Sequence, residues 1–303
     1  MNPTLYALGA IALWSTLATL GLALAHVPPF LLTGLSLLIG SLIALPLSRF
    51  DVRQWRVPLG TLALGVYGLF GFHFLLFMAL RYAPPVEANL VNYLWPLLMV
   101  VLAPVLLPGV TLRGVHVAAA LLGFAGAALA ILGAPTAPGN GGAAGSATVA
   151  SGWAWGYVPA LGSAFIWASY SLWCQRVQPF RTSAIGLFAL VSGVLALLCH
   201  AVLEPAVGLS ARDWGLLLVM GLGPLGAAFF LWDRALKGGD ARHIGILSYL
   251  TPLASTALLM VVSGRAFSWS IGLAAVMIIG AAVVGSRVAA PRRDAAQIAQ
   301  PLP

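Results

Sequence analysis

"VEANLVNYLWPLL", residues 86–98, decides how the chain is read. It lies inside a long apolar run, yet it carries Glu87, Asn89, Asn92, Tyr93, Trp95 and Pro96. A segment that only had to dissolve in hydrocarbon would be Leu, Val and Ile throughout, because an amide carried into lipid is costly unless it finds a polar partner or water. At about 100° per residue, Asn89, Asn92, Tyr93 and Pro96 fall within one arc of about 100° on a helix. The pattern then returns. "ALRYAPPVEANLVNYLWPL", 79–97, lies over "ALKGGDARHIGILSYLTPL", 235–253, at a constant offset of 156 residues. Arg81 meets Lys237, Tyr93-Leu94 meet Tyr249-Leu250, and Pro96-Leu97 meet Pro252-Leu253. Upstream, Gly65 meets Gly221 and Phe74 meets Phe230, while Trp14 meets Trp167 at an offset of 153.

The rest of the chain has the composition of a lipid-embedded protein. Of 303 residues, 61% are hydrophobic and 7% charged, against about 25% charged in soluble domains. Ten apolar runs are long enough for a bilayer core of about 20 residues: 3–25, 29–48, 58–80, 85–107, 112–132, 153–174, 182–203, 213–235, 242–262 and 267–288. The first reads as a retained span, since no Lys or Arg precedes it and a second apolar run follows at once. Twelve of the fifteen Lys and Arg residues fall in loops of one parity and three in the other. This positive-inside bias puts both termini in the cytoplasm and makes the net charge of +8 a mark of topology, with no nucleic-acid partner implied. Cys174 and Cys199 both lie in apolar runs and read as reduced packing residues.

The fold expected is therefore an all-α membrane protein of ten transmembrane helices, built as two inverted five-helix repeats around a central cavity. The N-terminal repeat is 1–132. A Gly/Ala/Ser-rich periplasmic linker follows at 133–152, then the C-terminal repeat at 153–288 and a cytoplasmic tail at 289–303. An odd number of spans per repeat turns the second copy upside down, as in secondary transporters whose site lies where the halves meet. Pro96 and Pro252 then read as paired hinges, each freeing a carbonyl one turn earlier.

Asn89, Asn92 and Tyr93 on one helix, with Ser248 and Tyr249 on its repeat partner, are the first candidates to line the cavity. Asn92 fits equally a role in gluing two helices together. Trp14-Ser15 and Trp167, with Tyr170 nearby, lie too deep in their runs to anchor at the interface. Trp95 sits at the edge of the polar arc. His73, flanked by Phe70, Phe74 and Phe77, is either a neutral hydrogen-bonded core histidine or a cavity residue. Glu87 suits a helix N-terminus or the mouth of a pathway. Asp233 and Arg234, with Lys237 and Asp240, are a boundary charge cluster or an inner gate. The small faces Gly123-Gly126-Ala130 and Gly280-Ala281-Gly285 read as helix-packing surfaces. None of the seven acids pairs with another at helical spacing deep in the membrane, so neither an intramembrane enzyme nor a metal or cofactor site is expected.

Ten spans, two inverted five-helix repeats and the doubled "YLxPL" element resemble the drug/metabolite transporter superfamily, in its ten-helix branch. The resemblance covers residues 3–288 and is closest to bacterial exporters of aromatic amino acids. It implies an inner-membrane exporter of aromatic and other apolar amino acids that works by alternating access. The alternative it implies is a proton-coupled exporter of drugs or organic cations such as methyl viologen. In the small multidrug exporters of this superfamily the first helix carries a membrane-embedded Glu. Residues 3–25 contain no acid, which favours a uniport-like mechanism. Its partners would be the amino-acid substrate and the surrounding lipid.

Overall fold

The structure, a computed structural model, describes residues 2–132, 155–262 and 269–287. The 133–152 linker, Arg265 and the 289–303 tail lie outside the described residues. Within them, all regular structure is helical. Along the chain run α1 (Pro3–Ala23), α2 (Pro29–Leu47), α3 (Leu59–Tyr82), α4 (Pro85–Leu106), α5 (Gly114–Leu132), α6 (Tyr157–Trp173), α7 (Thr182–Leu203), α8 (Ala211–Gly238), α9 (Ala241–Val262) and α10 (Trp269–Arg287). Eight of these, α1–α5 and α7–α9, are long and apolar enough to cross a bilayer, and Trp269–Gly285 of α10 is a shorter apolar helix. The chain is a multi-pass membrane protein.

Local chemistry explains where the helices start. Pro3, Pro29 and Pro85 stand in the first turn of α1, α2 and α4, where a missing N–H costs nothing. Ser210 and Asp213 form a reciprocal capping box at the start of α8. Asp240 caps α9 by accepting from the Arg242 N–H. Glu87 lies in the first turn of α4, where its charge suits the helix dipole. Glu204, in the loop after α7, reaches across to accept from the N–H groups of Phe30 and Leu31 at 2.9 and 3.2 Å, and so caps α2.

Few of the helices are continuous. Alpha turns break at Ser15-Thr16 in α1, Leu42-Ile43 in α2, Tyr93-Leu94 in α4 and Ser248-Tyr249 in α9. Pro96 and Pro252 each sit in the first turn after a break. Two π-helical segments, Tyr67–Gly71 in α3 and Gly223–Ala227 in α8, begin 156 residues apart. The α-helical pieces that follow them, Phe72–Tyr82 and Ala228–Gly238, keep that same offset of 156.

Small residues set the packing. A Cβ on Gly34 would lie 3.1 Å from the Gly193 carbonyl oxygen, joining α2 to α7. Gly40 and Gly226 bring α2 against α8 in the same way, with a Cβ on Gly40 2.8 Å from the Gly226 Cα. Gly126 of α5 faces Ala274 and Ile278 of α10, and Gly285 faces Ile246 of α9. Gly280 has open space beside it, so that part of the α10 face meets no neighbour among the described residues. Leu198 and Val202 on α7 are among many large apolar side chains exposed on the outside of the bundle, as a lipid-facing surface requires.

Candidate functional site

The interior of the bundle is a cluster of aromatic rings. Trp167 of α6 is its hub, with ring centroids 5.7 Å from Trp14, 5.3 Å from Phe72, 6.4 Å from Trp95, 5.4 Å from Tyr170, 5.8 Å from Phe229 and 6.3 Å from Trp232. Trp14 also meets Trp232 at 5.1 Å and Phe229 at 6.1 Å. These separations are those of rings in contact, mostly edge to face or tilted. A flat ligand enters only by parting them. All four tryptophans are buried. Trp14 Nε1 donates to the Pro224 carbonyl at 3.1 Å, inside the π segment of α8, and Trp232 Nε1 donates to Ser171 Oγ at 3.2 Å. Trp14 and Trp232 therefore each have their one indole donor satisfied and their orientation fixed.

His73 stands at the edge of this cluster. Its ring centroid is 5.1 Å from Phe72, 6.1 Å from Phe77 and 6.3 Å from Phe229. Nδ1 lies 2.6 Å from the Leu69 carbonyl oxygen. A carbonyl only accepts, so Nδ1 carries the hydrogen, and in the neutral ring Nε2 is left as an acceptor. Phe77, half-buried, leads outward to Phe30 at 5.4 Å.

The polar candidates are placed less uniformly. Asn92 is buried, and its Oδ1 accepts from Ser163 Oγ of α6 at 2.8 Å. It ties α4 to α6 in this conformation. Ser15 Oγ donates to the Ile11 carbonyl at 2.7 Å and Ser248 Oγ to the Ile244 carbonyl at 2.8 Å, so both hydroxyls are held by their own helices. Asn89 and Tyr93 are half-buried on α4, outside the ring cluster. Tyr249 belongs to a different core altogether. It is fully buried with Ala127 and Ile278, 6.4 Å from Phe124, and covers Gly123. The structure thus brings together Trp14, Trp95, Trp167, Tyr170, His73 and Phe77, and places Tyr249 in a separate core. Pro96 and Pro252 are both buried just beyond their helix breaks.

Sequence reasoning missed Trp232, Phe229, Phe72 and Ser163. Phe229 had a signal: it stands 156 residues after His73, in the register of the repeat, and the two rings touch. Trp232, inside "AFFLW", had none beyond helical spacing from Phe229.

At the end of the bundle that holds the Arg-rich loops, Asp233 is buried with 3% exposure. Its Oδ2 accepts from Lys237 Nζ and from Thr182 Oγ1, each at 2.7 Å. Lys237 also donates to the Phe180 carbonyl and lies over the Phe180 ring, 3.8 Å from its centroid. Arg181 donates to Gln54 Oε1 at 2.7 Å, linking the loop after α2 to the start of α7. Asp240, the fourth member of the expected charge cluster, pairs instead with Arg242. Burial works to raise the Asp240 pKa, but the hydrogen bonds and charge of Arg242 outweigh it and hold the carboxyl below its ordinary range.

A helical bundle with broken helices around a closed aromatic interior defines a membrane transporter, and the chain belongs to the EamA-like transporter family, whose model matches residues 2–132 and 154–287. Among similar proteins, the aromatic amino acid exporter YddG of Ancylobacter novellus is 41% identical over 95% of this chain and 98% of its own. The aromatic amino acid exporter YddG of Escherichia coli K12 is 26% identical over 93% of this chain and 95% of its own. A solved crystal structure at 39% identity aligns with a TM-score of 0.83, covering 95% of this chain and 98% of that one.

Proposed function

We propose that this protein exports aromatic and other apolar amino acids across the bacterial inner membrane, by alternating access and in a uniport-like manner. The observation that carries this reading is the contact between residues matched in the two halves. Trp14 meets Trp167 with centroids 5.7 Å apart, and His73 meets Phe229 at 6.3 Å. In a two-fold arrangement, a residue that touches its own mate lies at the axis. Two such pairs support a position for the aromatic cluster between the halves, where an inverted-repeat carrier binds its substrate. A ring parting Trp14, Trp167 and Phe229 would exchange one set of aromatic contacts for another, so specificity for aromatic side chains follows from the lining. The names of the relatives support the same substrate class.

On this reading all ten helices span the membrane, both termini face the cytoplasm and the 133–152 linker faces the periplasm. A protease added to right-side-out vesicles then cuts at the linker alone, and a periplasmic C-terminal tag would overturn the topology. Asn89, Asn92, Tyr93, Ser15 and Ser248 become available to a substrate zwitterion when the breaks beside them rearrange, and Pro96 and Pro252 act as the hinges.

A second reading, proton-coupled export of organic cations, draws on buried Asp233 beside Trp232. It ranks lower because the first span, residues 3–25, contains no acid. Counterflow in proteoliposomes separates the two. Labelled L-phenylalanine should exchange against unlabelled aromatic amino acids without a proton gradient. Exchange confined to methyl viologen, or abolished by collapsing the gradient, would favour the second reading.

A further inference from the structure

A pocket of about 350 Å³ opens between the end of α2, the start of α7 and the end of α8. Leu47 and Phe180 give it apolar walls, and Arg181, Arg234 and Lys237 give it cations. Of the three, only Lys237 is ion-paired among the described residues. Arg181 hydrogen-bonds the neutral Gln54, and Arg234 reaches the Tyr6 hydroxyl at 3.4 Å and lies over its ring. Positive charge is therefore in excess at the surface of the pocket. Two buried polar atoms lack hydrogen-bond partners among the described residues: Ser183 Oγ in the wall, and Oδ1 of Asp233, whose Oδ2 is held by two lining residues. Asp233 is fixed from the pocket side, since Thr182 and Lys237, which hold its Oδ2, are both lining residues. It also lies within electrostatic reach of Tyr170, and the adjacent Trp232 belongs to the aromatic cluster.

We propose that this pocket is a second amino-acid site, a loading site in which Arg181 and Arg234 take the α-carboxylate and Asp233 takes the α-ammonium. This rests on the amino-acid exporter reading above. Guanidinium groups match a carboxylate's two oxygens, and both are exposed and, among the described residues, free of ion pairs. A substrate hydroxyl or ammonium would satisfy buried groups that otherwise carry an unpaid desolvation cost. The apolar side chain rests on Leu47 and Phe180. The volume is that of a small-molecule site. A simple anion is disfavoured by the carboxylate behind the wall, and a simple cation by the arginines at the mouth. Only a zwitterion complements both. Asp233 sits between pocket and ring cluster, so an ammonium bound to it points the substrate along the route it would take.

The test is equilibrium dialysis of the purified full-length protein with labelled L-phenylalanine, phenethylamine, which lacks the carboxylate, and 3-phenylpropionate, which lacks the ammonium. The double variant Arg181→Gln, Arg234→Gln changes two exposed residues. It should weaken L-phenylalanine and 3-phenylpropionate by about tenfold or more, the loss of one charge-assisted hydrogen bond, and spare phenethylamine. Asp233→Asn should weaken L-phenylalanine and phenethylamine and spare 3-phenylpropionate. Equal weakening of all three ligands, or no change in the arginine variant, overturns the loading site. If the wild-type protein exchanges no amino acid in counterflow, the exporter reading fails first and takes the site with it. Exchange by the wild type with unaltered binding in the variants removes the site alone.

Discussion

Helices α4 and α9 carry the doubled "YLxPL" element, and each breaks at its tyrosine, with a proline in the first turn beyond. Their surroundings differ. Tyr93 is half-buried, whereas Tyr249 is sealed between α5 and α10. The difference comes from outside the element. Tyr249 fits because Gly123 lacks a side chain; a Cβ there would stand 2.5 Å from its ring. At the offset of 156 the residue matching Gly123 is Ile279, which carries a side chain where Gly123 carries none. Repetition within one chain supplies the backbone break twice. Whether the tyrosine at the break is packing or lining depends on a neighbour that the repeat does not preserve.

The largest effect expected from this contrast is on stability. Tyr249→Ala should cost about 3 kcal/mol, as for other large buried rings removed from a packed core, while Tyr93→Ala should cost about 1 kcal/mol or less. Thermal unfolding in detergent measures both, and equal losses would erase the distinction. Next come the prolines. Pro96→Ala and Pro252→Ala each restore an N–H and remove a ring clash. Each should slow export roughly tenfold, the effect of a shift in conformational equilibrium of about 1.4 kcal/mol. Cysteine accessibility at cavity positions, probed from each side, should move in opposite directions in the two variants. Movement in one direction would show that the breaks are not paired.

The smaller effects concern hydroxyls and amides. A double-mutant cycle of Asn92→Ala and Ser163→Ala should give a coupling of about 0.6 kcal/mol, the mean for hydrogen bonds between membrane helices. No coupling would mean that Asn92 is not held by α6 and is free to serve the cavity in every state. Ser248→Ala should be the quietest, within about 0.5 kcal/mol in stability, because its hydroxyl only bonds the Ile244 carbonyl of its own helix. Complete loss of export in that variant would show that Ser248 turns to substrate in another state.

Much of the bundle was legible because lipid imposes a simple rule, that apolar runs of sufficient length become helices. The deep positions of Trp14 and Trp167 were legible for the same reason. Other features were hidden by their ordinariness. Ser163 and Ser171 are small polar residues in an apolar run, and nothing local says that one holds Asn92 and the other Trp232. Glu204 reads as a loop charge until α2 is brought beside it. Gly123 was legible as a packing residue, but not as the place where a tyrosine ring would lie. Contacts between distant segments decide each of these cases, and one sequence does not display them.

The two π segments carry a consequence for the history of the chain. Adding or deleting one residue in a helix rotates everything beyond it by about 100°. His73 and Phe229 are the second residues beyond Tyr67–Gly71 and Gly223–Ala227, so the wide turn sets the direction in which each ring points. Such turns are rare in helices, and two separate insertions at one register are a poor explanation. On the inverted-repeat reading proposed above, one wide turn copied together with its half accounts for both, and the copy carries the aim of the ring with it.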